Sequence, residues 1–396
     1  MRLSLPVRLA LLLALAAAAP LAPARAAHTL QASPAPAAPL CLPGIYTYDP
    51  GDCRPLGPSA YLTELAGKGI TLPVAPLIYT PINPGMDDTT VQYAEVRNLP
   101  APIFGSLDDA MKANKKGAVQ TLNGNTIYVS YTSMTETGGK KIYEIASGQF
   151  MTGNYLSRVG SLPKSHGLLF SATPTTPFGW VLSYFADGAR IETKRTPGSA
   201  NPDYTGRWLN LYDVVRVFGE QTVSGESWYM IGPDEWVPAR VIARVLPNPT
   251  PPAGVTGDRW IEVNLFDQTL SVYEKRQLVF ATVIASGLEP MWTKPGVFQV
   301  FERHETTPMR GAIDSASDAY YLEDVPYTMY FDGARALHGA YWRSKMGYPQ
   351  SHGCINMAVG DAHWLYSWAQ MGEWVYVWDP SGQTPTDPSL YGAGGY

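Results

Sequence analysis

The chain predicts a mainly β protein, and three observations carry that prediction. Only 16% of its 396 residues are charged, yet it holds 35 Pro, 37 Gly and 24 Tyr. That balance favours short half-buried strands and turns over long surface helices. Apolar and polar residues alternate with a period of two in many stretches, among them Val91–Val96, Thr126–Tyr131, Trp260–Leu265 and Thr269–Tyr273. Turn signals such as Asn123-Gly124-Asn125 and Thr137-Gly138-Gly139 punctuate them.

Residues 1–26 read as a secretory signal. Arg2 and Arg8 precede the apolar run Leu9–Ala19, and Ala24-Arg25-Ala26 is a small-x-small cleavage site. The run is shorter than the ~20 residues of a membrane span, and no other stretch qualifies. The expected mature protein is exported and extracytoplasmic, in the periplasm or cell wall. Loss of three arginines takes its formal charge from −5 to −8. No Lys/Arg run appears, which argues against nucleic acid as a partner. Residues 27–58 form a Pro/Ala-rich linker, within which Cys41 and Cys53 are expected to close a local disulfide. Cys354 is then the unpaired thiol.

Residues 59–246 are β-rich and carry an internal echo. Tyr143-Glu144-Ile145, Phe150-Met151 and Leu156–Val159 match Tyr229-Met230-Ile231, Trp236-Val237 and Ile242–Val245 at an offset of 86 without a gap. Two copies of a small β unit follow, and their phrasing resembles bacterial SH3-like barrels. Core packing is the expected role of Trp180, Trp208, Trp228 and Trp236.

The Pro-rich segment 247–257 marks a domain boundary. Residues 258–379 form the last domain. Two alternating strands flank the Asp267-Gln268 turn, and Leu278–Ala285 and Val297–Phe301 continue the strand pattern. Residues 303–325 read as a polar, irregular, lid-like insertion. Asp361 is placed as the N-cap of one helix that Gly372 stops, and Glu373–Trp378 closes the domain. Residues 380–396 read as a flexible tail.

The chemistry concentrates in Leu337-His338-Gly339 and Ser351-His352-Gly353-Cys354-Ile355-Asn356. A thiol attacks only as thiolate, and a neighbouring imidazole can take its proton and hold it as an ion pair. The glycine before the cysteine permits a sharp turn that presents amide N–H groups to a reacting carbonyl. Both His338 and His352 are candidate bases. The bland alternative is an inert buried cysteine beside a loop histidine.

The segment from Trp260 to Trp378 resembles the L,D-transpeptidase catalytic domain, also called YkuD. The resemblance rests on the Asp267-Gln268 strand turn, Lys294-Pro295-Gly296 (usually Thr-Pro-x-Gly in the family), His338-Gly339 and Ser351–Ile355. It implies a β-sandwich with one helix, preceded here by the SH3-like modules. It also implies crosslinking of peptidoglycan stem peptides as donor and acceptor, with carbapenems as inhibitors and no cofactor. It assigns Cys354 as nucleophile, His338 as base, the Gly339 carbonyl as orienter of the ring, and Gly353 with Cys354 as oxyanion amides. Ser351, His352, Asn356 and Tyr327 are then expected to bind substrate. Lys294 stands where the family has Thr, and Asn356 where many members have Arg, which leaves open what holds the donor's carboxylate.

Three alternatives compete. Water as acceptor would make the protein an L,D-carboxypeptidase. A silent catalytic domain would make it a cell-wall-binding protein. A metal enzyme built on His338, His352, His363 and Cys354 is disfavoured, because their spacing matches no closed zinc motif.

Overall fold

The computed structural model describes residues 58–391 except 146–147, 184–189, 201 and 312–318. The secretory signal, Cys41, Cys53 and nearly all of the 27–58 linker lie outside the described residues. Strands dominate, with three α-helices among the described residues. No described helix is long and apolar enough to cross a membrane.

The echo in the sequence is the visible part of a longer structural repeat. In the first copy the strand Gln92–Val96 pairs antiparallel with both Thr126–Thr137 and Leu156–Arg158. Thr126–Thr137 pairs with Lys140–Ile145, and that strand with Gln149–Thr152. Gly138 and Gly139 take positive φ at the first of these hairpin turns, as a tight hairpin turn demands. In the second copy Phe178–Val181 pairs with Val214–Arg216 and Ile242–Val245. Gly219–Val223, Glu226–Gly232 and Glu235–Pro238 follow as a meander. A 3₁₀ turn, Gly153–Tyr155 or Ala239–Val241, precedes the last strand of each copy. The strands beginning at Gln92, Lys140, Gln149 and Leu156 recur 86 residues on, at Phe178, Glu226, Glu235 and Ile242.

The matching side chains do matching work: Tyr143, Ile145 and Met151 are buried in one copy, and Tyr229, Ile231 and Val237 in the other. Trp180 and Trp228 are fully buried, whereas Trp208 is 53% exposed, contrary to its expected place in a core.

Sheets run across the Pro-rich segment 247–257 rather than stopping at it. Leu168–Leu169 pairs with Gln277–Val283 in a seven-stranded sheet that also holds Thr269–Glu274, Trp260–Asn264, Trp374–Trp378 and Gly296–Gln299. In the facing sheet Thr126–Thr137 lies parallel to the start of Tyr320–Asp332. Leu62–Tyr396 is accordingly one compact unit. The core between the two sheets joins Ile261, Val263, Leu270 and Phe280 to Met329, Leu337, Ile355 and Met357, with Leu365 from the helix Val359–Trp368.

Three local expectations change. Residues 303–311 and 320–325 are not irregular: Glu302–Gly311 and Tyr320–Asp332 form a long antiparallel strand pair. Met309 and Leu322 pack there against Ala336 and Cys354. The helix is capped by Ala358 without a side-chain bond. Asp361 instead turns inward, where its carboxylate accepts from the His166 and Gly167 amides and the Thr282 hydroxyl at 3.1, 2.8 and 2.6 Å. The tail is also held as far as Tyr391. That residue is 2% exposed, its carbonyl accepts from Arg335 Nη2, and Arg335 lies over its ring.

Candidate active site

The strand Arg335–Gly339 runs parallel to Ile355–Met357, with Leu337 opposite Ile355 and His338 opposite Asn356. This register brings Cys354, which precedes Ile355, beside Ala336. The Ala336 amide donates to Cys354 Sγ at 3.4 Å, and Sγ lies 3.7 Å from the Ala334 carbonyl oxygen.

The turn into Cys354 needs its glycine. Gly353 has φ +112°, and a Cβ there would come 3.0 Å from Arg335 Nε. Two buried hydroxyls bracket the turn. Ser351 Oγ accepts from the Gly353 amide at 3.1 Å and donates to the Cys354 carbonyl at 2.6 Å. Thr293 Oγ1 donates to the Gly353 carbonyl and accepts from the Gly287 amide, each at 2.9 Å. The Gly353 amide is thus engaged inside the turn, and Ser351 serves the backbone.

His338 is 2% exposed. Its Nδ1 lies 3.1 Å from the Gly339 carbonyl oxygen. With the proton on Nδ1 that bond leaves Nε2 as the basic nitrogen. The Trp342 ring stacks on the imidazole at 5.6 Å. Burial pulls the imidazole down to about 4, against the Gly339 hydrogen bond, with Arg343 adding to the fall. Burial pushes the Cys354 thiol up, opposed by the Ala336 amide and the charges of Arg335 and Arg343.

His338 and Cys354 line one cavity of about 220 Å³. Ser351, His352 and Asn356 also reach it, and the strand pair contributes Met309, Tyr320 and Leu322. Thr126, from the first repeat, completes one wall. The His352 ring lies 4.9 Å from that of Tyr320. Asn356 is buried; its Oδ1 accepts from Arg343 Nε at 3.3 Å, and its backbone exchanges two 2.9 Å bonds with Ala285. Tyr327 does not line the cavity. With φ +57° it stacks on His363 at 4.2 Å, against the helix. Among the described residues no three His, Cys, Asp or Glu side chains could hold a metal ion.

Sequence reasoning overlooked Thr293, Arg343, Tyr320 and Thr126. Thr293 carried a signal: it stands three residues before Gly296, so it, not Lys294, fills the Thr place of Thr-Pro-x-Gly. Arg343 carried only proximity, five residues after His338. Thr126 carried none, because a strand pairing 194 residues apart in sequence brings it there. A thiol, a base with an oriented ring, and a sharp turn of backbone amides are together a set for nucleophilic acyl transfer.

Residues 258–377 match the model of the L,D-transpeptidase catalytic domain, YkuD. Among solved structures, the Ldtfm-avibactam carbamoyl enzyme is 28% identical over 31% of this chain and 49% of its own, with a TM-score of 0.29. The catalytic domain from E. faecium L,D-transpeptidase is 29% identical over 32% of this chain and 100% of its own, with a TM-score of 0.29. The same domain acylated by ertapenem is 28% identical over 32% and 100%, with a TM-score of 0.28. The chain spans about half the length of the first of these structures. No curated protein matches it.

Proposed function

We propose that the protein is a peptidoglycan L,D-transpeptidase working through a Cys354 thioester. One observation carries this reading: Cys354 and His338 line the same cavity, inside the segment that matches the family model. His338 Nε2 takes the Sγ proton, and the thiolate attacks the carbonyl of the third residue of a tetrapeptide stem. The oxyanion meets the Cys354 amide, joined by the Gly353 amide when that N–H leaves Ser351. A donor of this kind lowers the barrier by roughly 3 kcal/mol. The amine of the terminal D-Ala departs with the proton from His338. An amine of a second stem then attacks the thioester, forming a 3→3 crosslink and restoring the thiol; water in its place gives L,D-carboxypeptidase activity.

The order of pairing shared by the two upstream copies supports reading them as two copies of one small β unit. An exported protein with a cleaved signal fits such a substrate. The test is D-Ala release from disaccharide-tetrapeptide, with products weighed to identify the acceptor. Cys354→Ala and His338→Ala are expected to abolish release, and a carbapenem to add its mass to the wild-type protein at Cys354. Undiminished turnover in either variant overturns the reading.

A further inference from the structure

The ring of His338 is aimed by two neighbours on one short loop: the Gly339 carbonyl, 3.1 Å from Nδ1, and the Trp342 ring, stacked at 5.6 Å. Between them stands Tyr341, fully buried and gripped from the first upstream repeat. Tyr93, on the strand Gln92–Val96, lies face to face with it, the ring centroids 3.6 Å apart and the planes 8° from parallel. Tyr128, on the strand Thr126–Thr137, meets the same ring edge-on at 5.9 Å, and Trp342 does so at 4.8 Å. The two stacked tyrosines are also tied at their far ends. The Tyr341 hydroxyl donates to the Glu323 carbonyl at 2.6 Å, and the Tyr93 hydroxyl to the Asp324 carbonyl at 3.1 Å. Buried Ser130 fixes the side chains of those two residues: its amide donates to Glu323 Oε2 at 3.0 Å and its hydroxyl to Asp324 Oδ2 at 2.6 Å. A ring stacked on one face, met at its edges and bonded at its hydroxyl has one position in a close-packed interior. Tyr93, Tyr128 and Ser130 all lie outside residues 258–377, the segment that matches the family model.

Resting on the reading of His338 as the base, we propose that Tyr93 is a positioning residue for the passage of the Cys354 proton to His338. Tyr93 and Tyr128 hold Tyr341. Tyr341 fixes the backbone that runs from the Gly339 carbonyl to Trp342. Those two groups in turn fix the imidazole with its proton on Nδ1, which leaves Nε2 to take the proton from Sγ. Tyr93 does not line the cavity that holds Cys354, so its effect falls on the chemical step and not on binding. A proton transfer is steep in distance and angle, and a small displacement set up far from the reacting atoms is felt in the rate. The first upstream repeat is then a part of the active site, joined to the base through one pair of stacked rings.

The experiment uses the full chain and compares Tyr93→Leu, which removes the stacked ring, with Tyr93→Phe, which keeps it. Tyr93→Leu is expected to lower kcat for D-Ala release from disaccharide-tetrapeptide by about 10- to 100-fold with KM within about twofold, and Tyr93→Phe to stay within about threefold of wild type. Nitrogen-15 NMR of the imidazoles gives a readout that does not depend on turnover, with the His338 signals assigned by their absence in His338→Gln. Wild type and Tyr93→Phe are expected to show the Nδ1–H tautomer alone, and Tyr93→Leu a mixture with the Nε2–H form. Should Tyr93→Leu not fold, Tyr128→Leu, at a half-buried ring, takes its place and is expected to move both readouts in the same direction. A folded leucine variant with wild-type kcat, or with the wild-type tautomer, overturns the positioning role alone, and so does a lower Tm with both readouts unchanged. If the wild-type protein releases no D-Ala, the transpeptidase reading falls, and the tautomer comparison still decides whether Tyr93 orients His338.

Discussion

Burial disfavours the charged forms of both Cys354 and His338. The imidazole is held neutral down to about 4, and the thiol is pushed above its ordinary range. Both shifts favour thiol and imidazole over the ion pair that the sequence motif alone brings to mind. In the proposed reaction, proton transfer then belongs to the moment of attack, when the imidazolium forms as negative charge passes from sulfur to the oxyanion. The sign of the thiol shift gives a direct expectation. A raised thiol yields its thiolate late, so the rate of alkylation by iodoacetamide should keep climbing above pH ~8.5, the midpoint of an ordinary cysteine. Mass spectrometry of labelled Cys354 across pH 5–10 measures it. A plateau already reached between pH 6 and 7 would show a standing ion pair instead.

At the scale of elements, the turn into Cys354 depends on a hydroxyl from outside the motif. Thr293 joins the carbonyl of Gly353 to the amide of Gly287 across two loops. Thr293→Val keeps the shape and leaves both buried groups without a partner, which costs about 1–3 kcal/mol. We expect a lower Tm together with reduced D-Ala release, because the same bond sets the angle at which Cys354 leaves the turn. Loss of stability with unchanged kcat would show that Thr293 supports the fold only. The strand pair Glu302–Gly311 and Tyr320–Asp332 makes a related point. Its polar sequence looked irregular because its strands expose one face. The other face, Met309, Leu322 and Val325, packs on Ala336 beside the thiol.

Across the whole molecule, the upstream repeats and the segment that matches the family model share their sheets and their core. Phe178, Trp180 and Leu168 lie in one cluster with Trp260, Tyr273, Leu278 and Ala281. A fragment beginning at residue 255 would expose those last four, at roughly 1.5–3 kcal/mol for each large side chain. It would also open the strand edge that Leu168–Leu169 covers and lose Thr126 from the cavity. Such a fragment is expected to melt without a cooperative transition and to lose activity; a Tm and turnover equal to those of the full chain would contradict this. Strands, turns and the Cys354–His338 pair were legible in the sequence because each depends on residues close together in the chain. The shared sheets, the inward role of Asp361 and the contribution of Arg343 were not, because they arise from pairings that no local pattern encodes. The repeat lay between: the matching Tyr143, Ile145 and Met151, like Tyr229, Ile231 and Val237, are visible because they are buried in a core, while the rest of each copy shares strand order and spacing more than sequence.

The held tail has a practical side. Arg335 sits under Gly353, within 3.0 Å of where a Cβ would be, and is fixed from below by Asp332 and by the Tyr391 carbonyl. Tyr391 in turn is anchored through its hydroxyl to the Pro385 carbonyl. A purification tag, a protease nick or a trimmed boundary placed before residue 391 therefore reaches the turn into Cys354 in two steps, although it lies more than thirty residues beyond it in the chain. Expression boundaries chosen by where the family resemblance stops would cut away the support of the turn into Cys354.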